Sequence, residues 1–158
     1  QDKGWSPAEY GAITSSFWIA SGIMGVIFGN LADHYDRRYV VGASLLLAAP
    51  AFFLLPAADG LAAFVIAIIA GGMTGGSHSI IVVLAQELIP AAKGFASGSI
   101  MGFIFGMGAL GSFLIGTVSD QIGLGTVFQI VAALLIVAGG IALALPGNRQ
   151  PEPPAAAD

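Results

Sequence analysis

The chain has 158 residues, of which 56% are hydrophobic and only 9% are charged; its formal net charge is −4 and it has no cysteine. A soluble globular domain carries about 25% charged residues, so this composition is too poor in charge to cover a water-exposed surface. The charge balance offers no basic surface for nucleic acid, and the lack of cysteine excludes disulfides and thiolate metal ligands.

Five stretches of the chain carry no acidic or basic residue apart from one histidine, and each is at least 20 residues long. They cover 10–32, 39–58, 60–86, 94–119 and 121–148. A helix needs about 20 apolar residues to cross a bilayer, and lipid offers the backbone no hydrogen-bond partners. The sequence therefore predicts an all-α integral membrane helical bundle with spans at about 8–32, 39–57, 60–88, 93–118 and 122–145. We expect the Pro- and Ala-rich remainder, 147–158, to be a disordered cytoplasmic tail.

The first predicted helix opens with Ser6-Pro7-Ala8-Glu9, a capping box with proline at the first helical position. Trp18 lies near the middle of this span. There it either packs against lipid and neighbouring helices or offers a stacking surface to a lipophilic substrate.

The connection between the first two spans reads Gly29-Asn30-Leu31-Ala32-Asp33-His34-Tyr35-Asp36-Arg37-Arg38. Asp33 is an anion near a helix end, where an arginine or the positive end of another helix would stabilise it. The string resembles the signature loop of the major facilitator superfamily, G-x-L-a-D-r-x-G-r-r, with Asp36 in place of the second glycine. The resemblance implies a cytoplasmic gate that latches two halves of a transporter, formed here by Gly29, Asp33, Arg37 and Arg38.

Basic residues fall mostly on one side of the predicted membrane. Because successive connections alternate sides, Arg37, Arg38, Lys93 and Arg149 share one side and Lys3 lies on the other. The positive-inside rule places the group of four in the cytoplasm. We therefore expect a multi-pass protein of the inner (plasma) membrane with a cytoplasmic carboxy terminus.

Glu87 closes the third predicted span on the same side as the arginines. The resemblance implies that an acidic residue at this helix end pairs with a loop arginine. We predict that Asp33, Arg38 and Glu87 form one charge cluster; the alternative is that Glu87 is merely solvated.

His78 is the titratable residue deep inside a predicted span, between Ser77 and Ser79. Ionisable residues within a membrane usually face the bundle interior or a water-filled cavity, and histidine titrates near neutral pH. His78 is therefore a candidate for a proton or substrate pathway, with Ser77, Ser79, Trp18 and Gln129 as candidate lining. The alternative is a neutral histidine that is hydrogen-bonded to a serine or a backbone carbonyl.

The fourth predicted span carries Gly94, Gly98, Gly102 and Gly106 at a four-residue spacing. Residues four apart share a helix face, so these glycines form a smooth stripe suited to close helix packing. The stripe is either a static seam or a surface along which helices slide during alternating access. Gly25 contributes a similar position on the first helix, four residues before the signature loop.

The string at 85–90, together with the glycine and serine positions at the start of the fourth span, narrows the resemblance to the fosmidomycin-resistance branch of the superfamily. This implies helices eight to twelve of a twelve-helix transporter that exports drugs in exchange for protons. The small-molecule substrate would bind between these helices and a missing N-terminal half. The resemblance implies no cofactor, because a proton gradient drives transport.

Other functions stay open on the sequence alone. An uptake transporter for a sugar or small anion would have the same helices, although these spans hold no arginine or lysine at mid-depth. A non-transporting membrane scaffold or assembly subunit would use the small-residue stripes as partner interfaces. An enzyme is not expected, because the sequence holds no serine–histidine–acid set, metal-ligand spacing or phosphate-binding loop.

Overall fold

The computed structural model describes residues 4–145, which form five long α-helices. These are α1 (Pro7–His34), α2 (Arg37–Leu54), α3 (Gly60–Leu88), α4 (Lys93–Ile122) and α5 (Leu124–Ala144). Short 3-10 turns extend α2 at Leu55–Ala57 and precede α4 at Pro90–Ala92. Each of the five helices is long and apolar enough to cross a membrane, so the predicted all-α membrane bundle is confirmed. The predicted tail, 147–158, and the charges Lys3 and Arg149 lie outside the described residues.

The ends of the helices have local physical causes. The Glu9 amide donates to Ser6 Oγ at 3.3 Å and the Ser6 amide donates to Glu9 Oε2 at 2.7 Å, which confirms the predicted capping box. Asp36 caps α2, because its Oδ1 accepts from the Arg38 amide at 3.1 Å. Gly123 separates α4 from α5 with a φ of 84°, a conformation that side chains other than glycine rarely adopt.

The most extensive helix pairing joins α1 to α3, and glycines of α3 make it possible. A methyl group on Gly71 would collide with the backbone of Phe17, and one on Gly75 would collide with that of Ser21. Gly25 of α1 is buried in the same interface. Such close backbone approach stabilises helix pairs in lipid, where the hydrophobic effect gives no drive for association.

The central helix α2 packs against α3 on one side and α5 on another. Gly42 of α2 and Gly139 of α5 lie opposite each other: a Cβ built on either would sit 3.1–3.2 Å from the carbonyl oxygen of the other. The most buried side chains of α2 and α3 are mainly alanines, namely Ala48, Ala49, Ala63, Ala67 and Ala70. The core is therefore thin and depends on helices approaching closely.

The helix α4 lies at the edge of the bundle, and Ala96 is its one buried residue in the described chain. A Cβ added at any glycine of the predicted α4 stripe would meet no atom within 4 Å in residues 4–145: Gly94, Gly98, Gly102 and Gly106. The stripe thus makes no close contact with the other four helices, and its role as a seam stays a prediction.

Candidate functional site at the charged end of the bundle

Arg37 and Glu87 meet where α2 begins and α3 ends. Arg37 is the first residue of α2 and Glu87 lies in the last turn of α3. Two guanidinium nitrogens donate to the two carboxylate oxygens, with Nη2 at 2.7 Å from Oε1 and Nη1 paired with Oε2. The side chains of Arg37 and Glu87 are 18% and 49% exposed, so this is a bidentate ion pair that is partly accessible to solvent.

Asp33 belongs to the same charged end. It lies in the last turn of α1, is exposed, and attracts the Arg37 guanidinium electrostatically. The sequence predicts a cluster of Asp33, Arg38 and Glu87, but in the structure the arginine paired with Glu87 is Arg37. The cluster therefore joins the ends of α1, α2 and α3.

Arg38 turns to a different neighbour. Its Nη1 donates to the carbonyl oxygen of Leu145, the residue that caps α5, at 3.2 Å. Its Nε lies 3.1 Å from Asp36 Oδ2, and its guanidinium carbon lies 4.5 Å from the Tyr39 ring centroid. A cation is favourable at the carboxyl end of a helix, so Arg38 ties the start of α2 to the end of α5.

The two arginines diverge for a geometric reason. Consecutive helical residues point about 100° apart, since a turn has 3.6 residues. Asp36 fixes where the helix starts, with φ −60° and ψ 121° and its side chain on the Arg38 amide. Glycine is therefore not needed at this position, where the sequence departs from the signature loop.

Gly29, the first residue of the loop string, is half-buried near the end of α1. A Cβ built on it would meet no atom within 4 Å in the described residues. Gly29 therefore makes no close packing contact with α2 to α5.

A polar link that the sequence pattern does not predict joins α3 to α4 at this end. Gln86 Nε2 donates to Ser97 Oγ at 2.7 Å, and Ser97 Oγ donates to the Lys93 carbonyl at 3.0 Å. Both partners lie within about one turn of a predicted helix end, and this position is the feature of the sequence that hints at the link. Their meeting depends on the tight turn at Pro90–Ala92, which the sequence pattern did not specify.

His78 is exposed near the middle of α3. Ser77 is buried and its Oγ donates to the Thr74 carbonyl at 2.7 Å, while Ser79 lies beside Gly25 of α1. In residues 4–145, His78 forms no hydrogen bond with either serine. Its imidazole is therefore open to whatever lies against this face of α3.

The remaining pathway candidates lie apart. Trp18 is 60% exposed on α1 and contacts Phe17 edge to face, with ring centroids 5.6 Å apart. Gln129 lines a groove between α2 and α5, so the structure does not place it with His78 on α3. Within the described residues, no group of three or more histidine or carboxylate side chains lies close enough to hold a metal ion.

The sequence matches known proteins along its length. The profile of the Major Facilitator Superfamily matches residues 1–158. The fosmidomycin resistance protein of Escherichia coli (strain K12) is 37% identical over 134 residues, which cover 85% of this chain and 32% of that protein. The uncharacterized MFS-type transporter YfnC of Bacillus subtilis (strain 168) is 38% identical over 130 residues, covering 82% of this chain and 32% of that protein.

The chain spans about a third of the length of these curated relatives. No solved structure matches it significantly. The match over all residues, the helices long enough to cross a membrane and the signature loop agree with one another. This chain belongs to the major facilitator superfamily and is a multi-pass membrane protein.

Proposed function

We propose that the chain forms part of a secondary active transporter that exports a small molecule in exchange for protons by alternating access. Family membership supports transport. The direction is supported by similarity to a protein named for resistance to fosmidomycin, since export of a toxic compound is a direct route to resistance. The chain carries out no chemistry on its substrate.

The ion pair between Arg37 and Glu87 carries this proposal. It joins two helix ends at the end of the bundle where the positive-inside rule puts the cytoplasm. A partly exposed ion pair contributes about 0–1 kcal/mol, which is too little to hold a bundle together. It is enough to bias two conformations that differ by only a few kcal/mol, which is what a gate requires.

We propose that the protein resides in the inner (plasma) membrane. The arginine end of the bundle then faces the cytoplasm. Lys93 at the start of α4 lies at the same end as Arg37 and Arg38. With five helices, this orientation leaves the residues after α5 in the cytoplasm.

The substrate would bind near the middle of the membrane, between these helices and a further half of the transporter. Two observations fit such a partner: α4 leaves its glycine stripe uncovered, and Trp18 is exposed on α1. His78 is the proposed proton site, because it is an exposed titratable side chain near the middle of α3.

The test is transport by the whole protein in vesicles, with radiolabelled fosmidomycin as the first probe. An antiporter accumulates the probe when the vesicle lumen is acidic, because protons leaving the lumen drive it inward. A symporter accumulates it when the outside is acidic. Vesicles without protein and vesicles treated with a protonophore are the controls.

We expect accumulation with an acidic lumen and none with the reverse gradient. Accumulation with an acidic exterior would replace export by uptake. A scaffold or assembly role would be favoured by two results together. Neither gradient would drive accumulation of fosmidomycin or of any drug in a lipophilic panel, and none of these compounds would cause a proton leak.

A further inference from the structure

A groove of about 490 Å³ lies between α2 and α5, and only these two helices line it. Its floor is built from small residues, including Ala49 and Ala132, which are 2% and 3% exposed. Phe53 and Ile136 stand at its sides. The open side of the groove therefore meets none of the helices α1, α3 and α4.

A proline of α2, Pro50, forms part of the groove. It lies inside α2 and lines the groove. Proline cannot donate a backbone hydrogen bond and its ring crowds the carbonyl four residues earlier, which here belongs to Leu46. Leu46 lines the same groove, so the loosened turn of α2 is part of its wall.

Gln129 is the one polar side chain in this lining. It is exposed, and its amide forms no hydrogen bond with a protein atom in residues 4–145. Inside a membrane an unpaired amide is costly, because hydrocarbon supplies no partner. The amide therefore needs a hydrogen-bond partner from outside residues 4–145, such as a lipid of the membrane.

The depth of Gln129 fits a lipid as that partner. It lies five positions after Leu124, about 7.5 Å along the helix from its start, in a helix long enough to cross a hydrocarbon core of about 30 Å. Helical side chains lean toward the amino end, which here is the nearer membrane surface. The amide thus reaches toward the level of the glycerol ester carbonyls of lipid.

We propose that this groove binds one acyl chain of a glycerophospholipid, and that the Gln129 amide donates a hydrogen bond to the ester carbonyl of that chain. The volume of about 490 Å³ lies within the range of about 300–1,000 Å³ for small-molecule sites. A helix about 10 Å across would need a flat stripe of small residues, whereas the bulky side chains of Phe53 and Ile136 also line this groove. A flexible hydrocarbon chain fits between such side chains better than a helix of a second copy of the protein.

The experiment compares phosphatidylglycerol with its dialkyl ether analogue, which has the same chains and headgroup but no ester carbonyl. The whole protein, purified in detergent and depleted of lipid, is titrated with each, and bound lipids are counted by native mass spectrometry. The proposal predicts one site that binds the diester about threefold to tenfold more tightly, as expected for one hydrogen bond in a membrane.

Three variants separate the groove from general lipid coating. Gln129→Leu should bind diester and diether equally at this site, and Ala133→Phe should lose the site for both by filling the groove. Ala138→Phe is the matched control, because Ala138 is exposed on the same helix but does not line the groove. It should behave as the wild type.

Three results would overturn the proposal. One is a wild-type protein without a diester preference. Another is a preference that survives in Gln129→Leu. The third is an Ala133→Phe variant that keeps its lipids and instead changes from dimer to monomer, which would make the groove an interface between copies. None of these readouts depends on transport, so they test the groove whether or not the proposed function holds.

Discussion

Arg37 and Glu87 are 50 residues apart in the chain, yet two hydrogen bonds join them where the start of α2 lies beside the end of α3. Asp33 at the end of α1 adds its charge to the same place. The pair is partly exposed, so it contributes about 0–1 kcal/mol to stability. Its removal should therefore alter the balance of conformations far more visibly than it alters folding.

We predict that Glu87→Gln lowers the initial rate of transport about twofold to fivefold, the change that corresponds to losing up to about 1 kcal/mol from one conformation. The melting temperature should stay within about 2 °C of the wild type, given how little an exposed pair contributes. Transport assays in vesicles and thermal denaturation measure the two effects.

Asp120→Asn is the matched control, since it removes an exposed carboxylate at the opposite end of the bundle. It should leave the rate unchanged. The double reversal Arg37→Glu with Glu87→Arg should recover part of the lost activity. Equal rates for wild type and Glu87→Gln would mean that Glu87 is only a solvated residue.

The adjacent arginines should have separable effects. Arg38→Ala removes the contact with the Leu145 carbonyl and should speed hydrogen exchange in the last turn of α5 about twofold to fivefold. Arg37→Ala should instead speed exchange in the last turn of α3. Mass spectrometry of exchanged peptides reports both, and the same pattern from both variants would contradict the divergent arrangement.

Glycines on α3 and α4 should differ in their effect on stability. Gly75→Ala places a methyl group against the backbone of Ser21, and we expect it to cost about 1–3 kcal/mol of unfolding free energy. Gly102→Ala, which meets no atom within 4 Å in the described residues, is the matched control and should be near neutral for this bundle. Denaturation in detergent measures both.

The same control tests the predicted seam on α4. If the stripe slides against a further half of the transporter, Gly102→Ala slows transport while the stability of these helices is kept. A variant with wild-type transport would show that the stripe is only a smooth surface toward lipid. If the Gly75→Ala variant is no less stable than the Gly102→Ala variant, the packing described for α1 and α3 is contradicted.

His78 is predicted to couple substrate movement to protons. His78→Ala should abolish accumulation driven by a pH gradient and keep exchange of labelled for unlabelled substrate, because exchange needs the binding site but no net proton movement. Substrate-induced proton release from vesicles is the direct readout. Full proton-driven accumulation by His78→Ala would remove this residue from the coupling mechanism.

The sequence was sufficient for the elements whose causes are local. Charges and the capping box at Ser6 and Glu9 mark where helices begin and end, because membrane helices need long uncharged runs. The choice of Arg37 over Arg38 was not predictable, since it depends on how α2 is rotated against its neighbours. That rotation is set by contacts such as Gly42 against Gly139, which lie far apart in the chain.

The glycine patterns show the same limit. The four-residue spacing on α4 is as regular as a packing seam can be, yet in the described residues the α1 contact is made by Gly71 and Gly75 of α3. These two glycines also lie four apart, so spacing alone does not distinguish them from the α4 stripe. Which glycine stripe packs against another helix depends on which helix lies next to it in the fold.

The proposed gate requires that five helices cross the membrane with the Arg37 and Arg38 end in the cytoplasm. These 158 residues hold no cysteine, so a single cysteine introduced into them is read against the unsubstituted protein as the background control. Tyr35→Cys and Ala92→Cys lie at the arginine end, and Gln121→Cys lies at the other. Each is treated with a membrane-impermeant maleimide in intact cells and after permeabilisation.

We predict that Gln121→Cys is labelled in intact cells, and that Tyr35→Cys and Ala92→Cys are labelled only after permeabilisation. Labelling of Tyr35→Cys in intact cells, or labelling of all three positions from one side, would contradict the orientation and the alternating spans, and with them the cytoplasmic gate.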